Sequence, residues 1–91
     1  MLTVYYTNQF KTDLKKVKKD AKDAALIMQT IQLLANNEPL PASYRPHQLT
    51  GSYKNCMECH IKPDLLLIYQ IDNDVLILKL LRLGSHSALF K

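Results

Sequence analysis

Apolar and polar positions alternate along the chain in two periods, helical near the start and strand-like later. "LTVYY" reads as a short opening strand, closed by Thr7 and Asn8, both favourable before a helix. From there to about residue 20, Phe10, Leu14, Val17 and Ala21 recur at helical spacing and draw one apolar stripe. A second helix is expected over about residues 22–36, with Ile27, Ile31 and Leu34 facing the core. It stops at "ANNEPLP", because asparagines and prolines end helices. Two antiparallel helices joined by a short turn follow from this. The remainder, "HQLTGSYKNCMECHI", "DLLLIYQI" and "DVLILKLLRL", reads as three strands, separated by Lys62-Pro63 and by the Asp72-Asn73-Asp74 turn. The two later strands are apolar at nearly every residue, so both of their faces are at least partly covered, one of them by the helices. The order β-α-α-β-β-β predicts an α+β domain, a curved, antiparallel-rich sheet with a helical hairpin packed on one face. Polar residues with a chemical task are then expected on the other face.

Length and composition narrow the class. The 91 residues suffice for one core, and a single domain over residues 1–91 is expected. "MLTVYYTNQFK" lacks the basic start and apolar run of an export signal, and the apolar stretches are too short to span a bilayer. The chain is expected in a reducing cytoplasm without membrane association, its 2 cysteines as thiols. Those cysteines sit in "CMECH", the Cys-x-x-Cys-His spacing of c-type haem attachment. A strand over about residues 52–61 would turn Cys56 and Cys59 to opposite faces, since their separation is odd, so they could not clasp one porphyrin or one metal ion. His47 and His60 could contribute to a zinc site, but no further cysteine completes one. The cysteines read as incidental, and neither metal nor cofactor is expected.

Three histidines remain as candidates for chemistry. His60 precedes Asp64 across a proline, and Arg82 closes the last strand before "LGSHS", which carries His86. Where one strand ends beside the start of its neighbour, His60, Asp64, Arg82 and His86 can converge on one edge. Imidazoles act as acid and base near neutral pH, and a guanidinium matches phosphate oxygens. Base, acid and phosphate-binding cation are what RNA cleavage by 2′-hydroxyl attack requires. The alternative for Arg82 is a strand-end ion pair with Asp72 or Asp74. Lys11, Lys15, Lys18 and Lys22 form a cationic ridge beside the first apolar stripe. It is either a solvated helix face or, with Lys54 and the net charge of +4, a sequence-independent grip on phosphates. Tyr53, Tyr69 and Phe90 could stack on bases. Tyr69 lies inside an apolar strand and reads as core, which leaves Phe90 the better candidate.

"YRPHQLTGSYKNCMECHIKPDLLLIYQI" followed by "LLRLGSHSALF" resembles the YafQ branch of the RelE-like toxins of bacterial type II toxin–antitoxin systems. "TNQFKTDLKKVKK" fits the first helix of that family and "NNEPLPASYRPHQLTG" its link into the sheet. The resemblance implies the small RelE-like microbial-RNase-type fold. It also implies a metal-independent endoribonuclease, an mRNA interferase that cuts messenger RNA in the ribosomal 30S A site. A cognate antitoxin neutralises it, and operator DNA is bound only through the antitoxin complex. Position by position, the family's active site maps to His47, His60, Asp64, Arg82, His86 and Phe90. The resemblance makes His86 the acid for the leaving oxygen, His47 and His60 base or transition-state groups, Asp64 an orienting group, Arg82 a phosphate binder and Phe90 a stacking platform. Glu58 is an alternative base. The chain departs from the pattern at Leu65, where many relatives carry tryptophan, and at Cys56 and Met57, where relatives often carry an aromatic residue and an arginine. Leu65 and Met57 favour the alternative of a non-cleaving module of the same fold that binds RNA or antitoxin.

Overall fold

The computed structural model describes residues 1–17 and 20–90. Strand β1 (Thr3–Tyr6) leads into helices α1 (Asn8–Val17) and α2 (Ala21–Ala35), then β2 (His47–Gln48), β3 (Met57–Lys62), β4 (Leu65–Asp72), β5 (Ile77–Gly84) and a one-turn helix α3 (His86–Leu89). The sheet order is β1-β5-β4-β3-β2. Among the described residues only the β1–β5 pair is parallel, running from Thr3↔Ile77 to Tyr6↔Leu80. Register shifts at His60/Lys62 and Ile68/Tyr69 increase the twist that curves the sheet.

Both helices form where the stripes predict them, except that α1 ends at Val17 and Ala21, expected on its stripe, instead opens α2 and is exposed. Thr7 Oγ1 accepts the Phe10 amide and donates to the Leu80 carbonyl (2.9 Å), so the cap of α1 is fastened to β5. Asp20 caps α2 through the Lys22 amide at 2.8 Å, and Asn37 leaves the helix in the left-handed region, φ 58°. Phe10, Ile27, Ile31 and Leu34 bury against Cys59, Leu65, Leu67, Tyr69, Leu78, Leu80 and Leu83, with Leu14 and Val17 at the edge. Each of the large aliphatic side chains contributes about 1.5–3 kcal/mol through burial. The opposite face of the sheet has its own smaller cluster, Cys56, Leu66, Ile68 and Leu89 with Leu49, Tyr53 and Leu81. Apolar β4 is thereby covered on both sides.

Two strand expectations need correction. The segment from His47 to Ile61 is not one strand. Its ends pair antiparallel as β2 and β3, His47 opposite Glu58, and the Leu49 amide bonds the Cys56 carbonyl at 2.9 Å. Between them the chain makes a 3-10 turn at Gly51–Tyr53 and passes through Asn55 at φ 72°, which no strand tolerates. The last strand begins at Ile77 rather than at Asp74, because Asp72 Oδ1 accepts the Asp74 and Val75 amides and holds a wider loop. Cys56 therefore precedes β3, yet the two thiols do lie in clusters on opposite faces of the sheet. Among the described residues, no helix is long and apolar enough to cross a membrane.

Candidate functional site

Alternation along β3 sends Met57, Cys59 and Ile61 to the helix side and leaves Glu58 and His60 on the other face. The register then lines up two rows across the sheet on that face. His47, Glu58, Ile68 and Arg82 form one, and His60, Leu66 and Gly84 the next. Helix α3 folds back over the end of the second row. Two of its first-turn amides are satisfied, Ala88 by the Ser85 hydroxyl (3.2 Å) and His86 by Asp64 Oδ1 (3.1 Å). Asp64, in the β3–β4 turn, thus clasps the helix that carries His86.

The result is a hollow of about 430 Å³ walled by His47, Glu58, His60, Leu66, His86 and Phe90. Glu58 lies between two imidazoles, its Oε1 3.2 Å from His47 Nε2 and 3.6 Å from His60 Nε2, with its own side chain only 7% exposed. His47 Nδ1 is 2.9 Å from the Arg45 carbonyl. A carbonyl can only accept, so Nδ1 donates to it and Nε2 is the nitrogen that faces Glu58. On the far wall, His86 packs edge-on against Phe90 at 5.0 Å, and Phe90 against Tyr53 at 6.0 Å.

Arg82 lies in the same row as Glu58 but does not line this hollow. Its partner is neither Asp72 nor Asp74. Nε and Nη2 donate to Asp13 of α1 at 2.7 and 3.3 Å, and Nη1 donates to the Tyr53 hydroxyl at 3.4 Å. Asp13 also accepts the Leu83 amide (3.0 Å), on an edge of β5 that β1, ending at Tyr6, no longer covers. The hydrogen bond to Asp13 holds the Arg82 guanidinium above its ordinary value, although burial works in the other direction. Arg82 is therefore a fixed cation, joined through Tyr53 and Phe90 to the hollow. Asp64 stands with Arg82, Asp13 and Lys16 around a neighbouring cavity of about 550 Å³, and makes no hydrogen bond to the His60 ring.

The structure thus gathers His47, His60, Glu58, His86 and Phe90 and sets Arg82 and Asp64 at the margin. Lys11, Lys15 and Lys54 are exposed and line none of these cavities; Lys18 falls outside the described residues. Asp13, Arg45 and Lys16 carried no signal in the sequence as site residues. Met57 packs on the helix-side core and Leu65 is buried within it, so both of these departures lie on the face away from Glu58. His47, Glu58 and His60 also offer three ligand atoms within 4.8 Å of one another, a set that suits a borderline divalent cation.

A family model described as a bacterial toxin of type II toxin–antitoxin systems, YafQ, matches residues 2–91. The mRNA interferase toxin YafQ of Escherichia coli strain K12 is 39% identical over 88 residues, covering 96% of this chain and 94% of that protein. A crystal structure of a metal-bound toxin from Helicobacter pylori is 46% identical with a TM-score of 0.90, over 99% of this chain and all (100%) of that one. The toxin in the E. coli DinJ–YafQ complex is 37% identical with a TM-score of 0.88, over 100% of both chains.

Proposed function

The chain belongs to the YafQ family of bacterial type II toxin–antitoxin toxins, and from that membership we propose that it is an mRNA interferase, cutting messenger RNA presented by the ribosome. The observation that carries this reading is the meeting of three imidazoles, a buried carboxylate and an exposed phenyl ring around one 430 Å³ hollow. A scissile phosphodiester seated there has its 2′-hydroxyl facing the His47–Glu58–His60 cluster, which takes up the proton as the oxygen attacks phosphorus. His86, on the opposite wall, protonates the departing 5′-oxygen. Arg82, kept charged and immobile by Asp13, attracts the phosphorane charge from the margin. Phe90 supports an unstacked base, and Asp64 fixes the height of His86 by holding its amide. The 5′-product leaves with a 2′,3′-cyclic phosphate and the other with a 5′-hydroxyl. No step in this scheme needs a metal ion.

The toxin solved in complex with DinJ supports an antitoxin partner for this protein too, a chain that in this reading neutralises it and through which operator DNA is reached. The non-cleaving module loses its main support, because Leu65 and Met57 lie away from the hollow. Induction in a bacterial host distinguishes the two readings. The parent is expected to arrest growth and create new 5′ ends in translated mRNA, while His86→Ala, losing acid assistance of about 10²–10⁴ in rate, does neither. Equal toxicity of parent and variant overturns the assignment of His86.

The metal-bound relative raises a second property of the same cluster. His47, Glu58 and His60 would hold a divalent cation, and a cation there occupies the imidazole nitrogens that acid–base work requires. Metal binding at this cluster therefore opposes cleavage.

A further inference from the structure

Next to the imidazole hollow, on the other side of His60 and Pro63, lies a second recess of about 490 Å³. Those two residues wall both spaces. The remaining wall is Ser43, Tyr44, Arg45, Ile61 and Lys62, two cations and an aromatic ring among them and, among the described residues, no acid. Arg45 ends the 3-10 turn Ala42–Tyr44 in the left-handed region, φ 48°. Its carbonyl faces His47 Nδ1, and Arg45 also lines the recess. Its guanidinium forms no ion pair with any described residue. Lys62 is engaged, 3.0 Å from Asp23 Oδ1, but with 46% of its side chain exposed the pair is weak enough to yield to a phosphate.

Resting on the ribonuclease reading, we propose that this recess is a subsite for the nucleotide next to the scissile linkage, with Arg45 and Lys62 gripping the flanking phosphate. A nucleotide entering it is continuous with one in the hollow, because the partition is only an imidazole and a proline ring. Cations then stand on both sides of the reacting phosphate, Arg45 and Lys62 on one and Arg82 on the other. A planar guanidinium with free donors is the side chain best matched to a phosphodiester. The recess would thus set how the message is threaded, while the imidazoles cut it.

The test is single-turnover cleavage of mRNA on programmed ribosomes, read as the rate at saturation and the toxin concentration giving half that rate. Arg45→Gln keeps the backbone and most of the side-chain length. It is expected to raise the half-saturating concentration about tenfold, with the saturating rate within about twofold and the salt slope lower by about 0.7, as loss of one single-strand phosphate contact requires. Lys62→Gln gives a smaller change in the same direction. An uncharged methylphosphonate at one of the two phosphates flanking the scissile one reproduces the Arg45→Gln defect in the parent and adds nothing to the variant. Three results overturn the subsite. One is an unchanged half-saturating concentration. Another is a loss confined to the saturating rate, which places the role of Arg45 in its carbonyl. The third is a full Arg45→Gln defect that no methylphosphonate mimics, which places the grip on ribosomal RNA. A parent that cuts nothing is different, since it removes the ribonuclease reading itself.

Discussion

Replacing Asp13 by alanine strikes at the point where the fold and the candidate site are joined. The carboxylate is 7% exposed and takes three donors, Arg82 Nε at 2.7 Å, Arg82 Nη2 at 3.3 Å and the Leu83 amide at 3.0 Å. Without it the Leu83 amide is orphaned at a buried edge, at a cost of about 1–3 kcal/mol. Arg82 also loses its counter-charge. With 21% of its side chain exposed, that loss falls below the 3–5 kcal/mol of a fully buried pair, and we take about 1–2 kcal/mol. The sum, about 2–5 kcal/mol, lowers the melting temperature of a domain this size by roughly 8–40 °C, at about 4–8 °C per kcal/mol. Circular dichroism melts and urea titrations measure it. Asp13→Asn separates stability from activity, because it keeps an acceptor for Leu83 while releasing the guanidinium. On an Arg82→Ala background, Asp13→Asn should cost no further cleavage, since Asp13 acts on the reaction through Arg82 alone. A melting temperature for Asp13→Ala within about 2 °C of the parent refutes the pinning role.

Two other outcomes follow from the same geometry. Burial pushes the Cys59 thiol up from 9.0 to about 12, with the Glu58 charge adding to it, and Tyr69 rises from 10.0 to about 12 for the same first reason. Raised values mean that the unfolded chain ionises first, so stability is complete below pH 9 and erodes from 9 towards 12. Unfolding free energies from urea titrations should fall between pH 9 and 10 by up to about 1.4 kcal/mol in the parent and less in Cys59→Val; parallel losses would dismiss Cys59 as the cause. Zinc ions should slow cleavage and a chelator restore it, with Glu58→Gln weakening the inhibition; stimulation by zinc would contradict an inhibitory cation at His47, Glu58 and His60.

Local patterns carried much of this structure. The i, i+4 spacing of Phe10 and Leu14 and of Ile27 and Ile31 placed both helices, and the apolar runs placed β4 and most of β5. Strand order was not legible, because the parallel pairing of β1 with β5 joins residues more than seventy positions apart that share no local signal. The excursion between β2 and β3 was read as strand because its β-rich composition conceals Asn55, whose positive φ turns the chain. Within the site, His60, His86 and Phe90 stand out from the residues themselves and His47 through family resemblance; the register brings His47 and His60 to Glu58, and the clasp of Asp64 on α3 sets His86 and Phe90 opposite them. Asp13 stayed hidden because a charged residue on an amphipathic helix reads as solvated, while its partner lies 69 residues away on β5. Arg45 stayed hidden for a related reason. Its contribution to His47 is a backbone carbonyl, which no side-chain pattern reveals.

The chemistry of the cut ends tests the central claim most directly. A defined mRNA on programmed ribosomes, treated with the protein in the presence of a chelator, can be analysed by mass spectrometry of both fragments. Cleavage by the imidazole cluster predicts a 2′,3′-cyclic phosphate on one fragment and a 5′-hydroxyl on the other, with both lost in His86→Ala. A 5′-phosphate with a free 3′-hydroxyl, or cleavage abolished by the chelator, would contradict it.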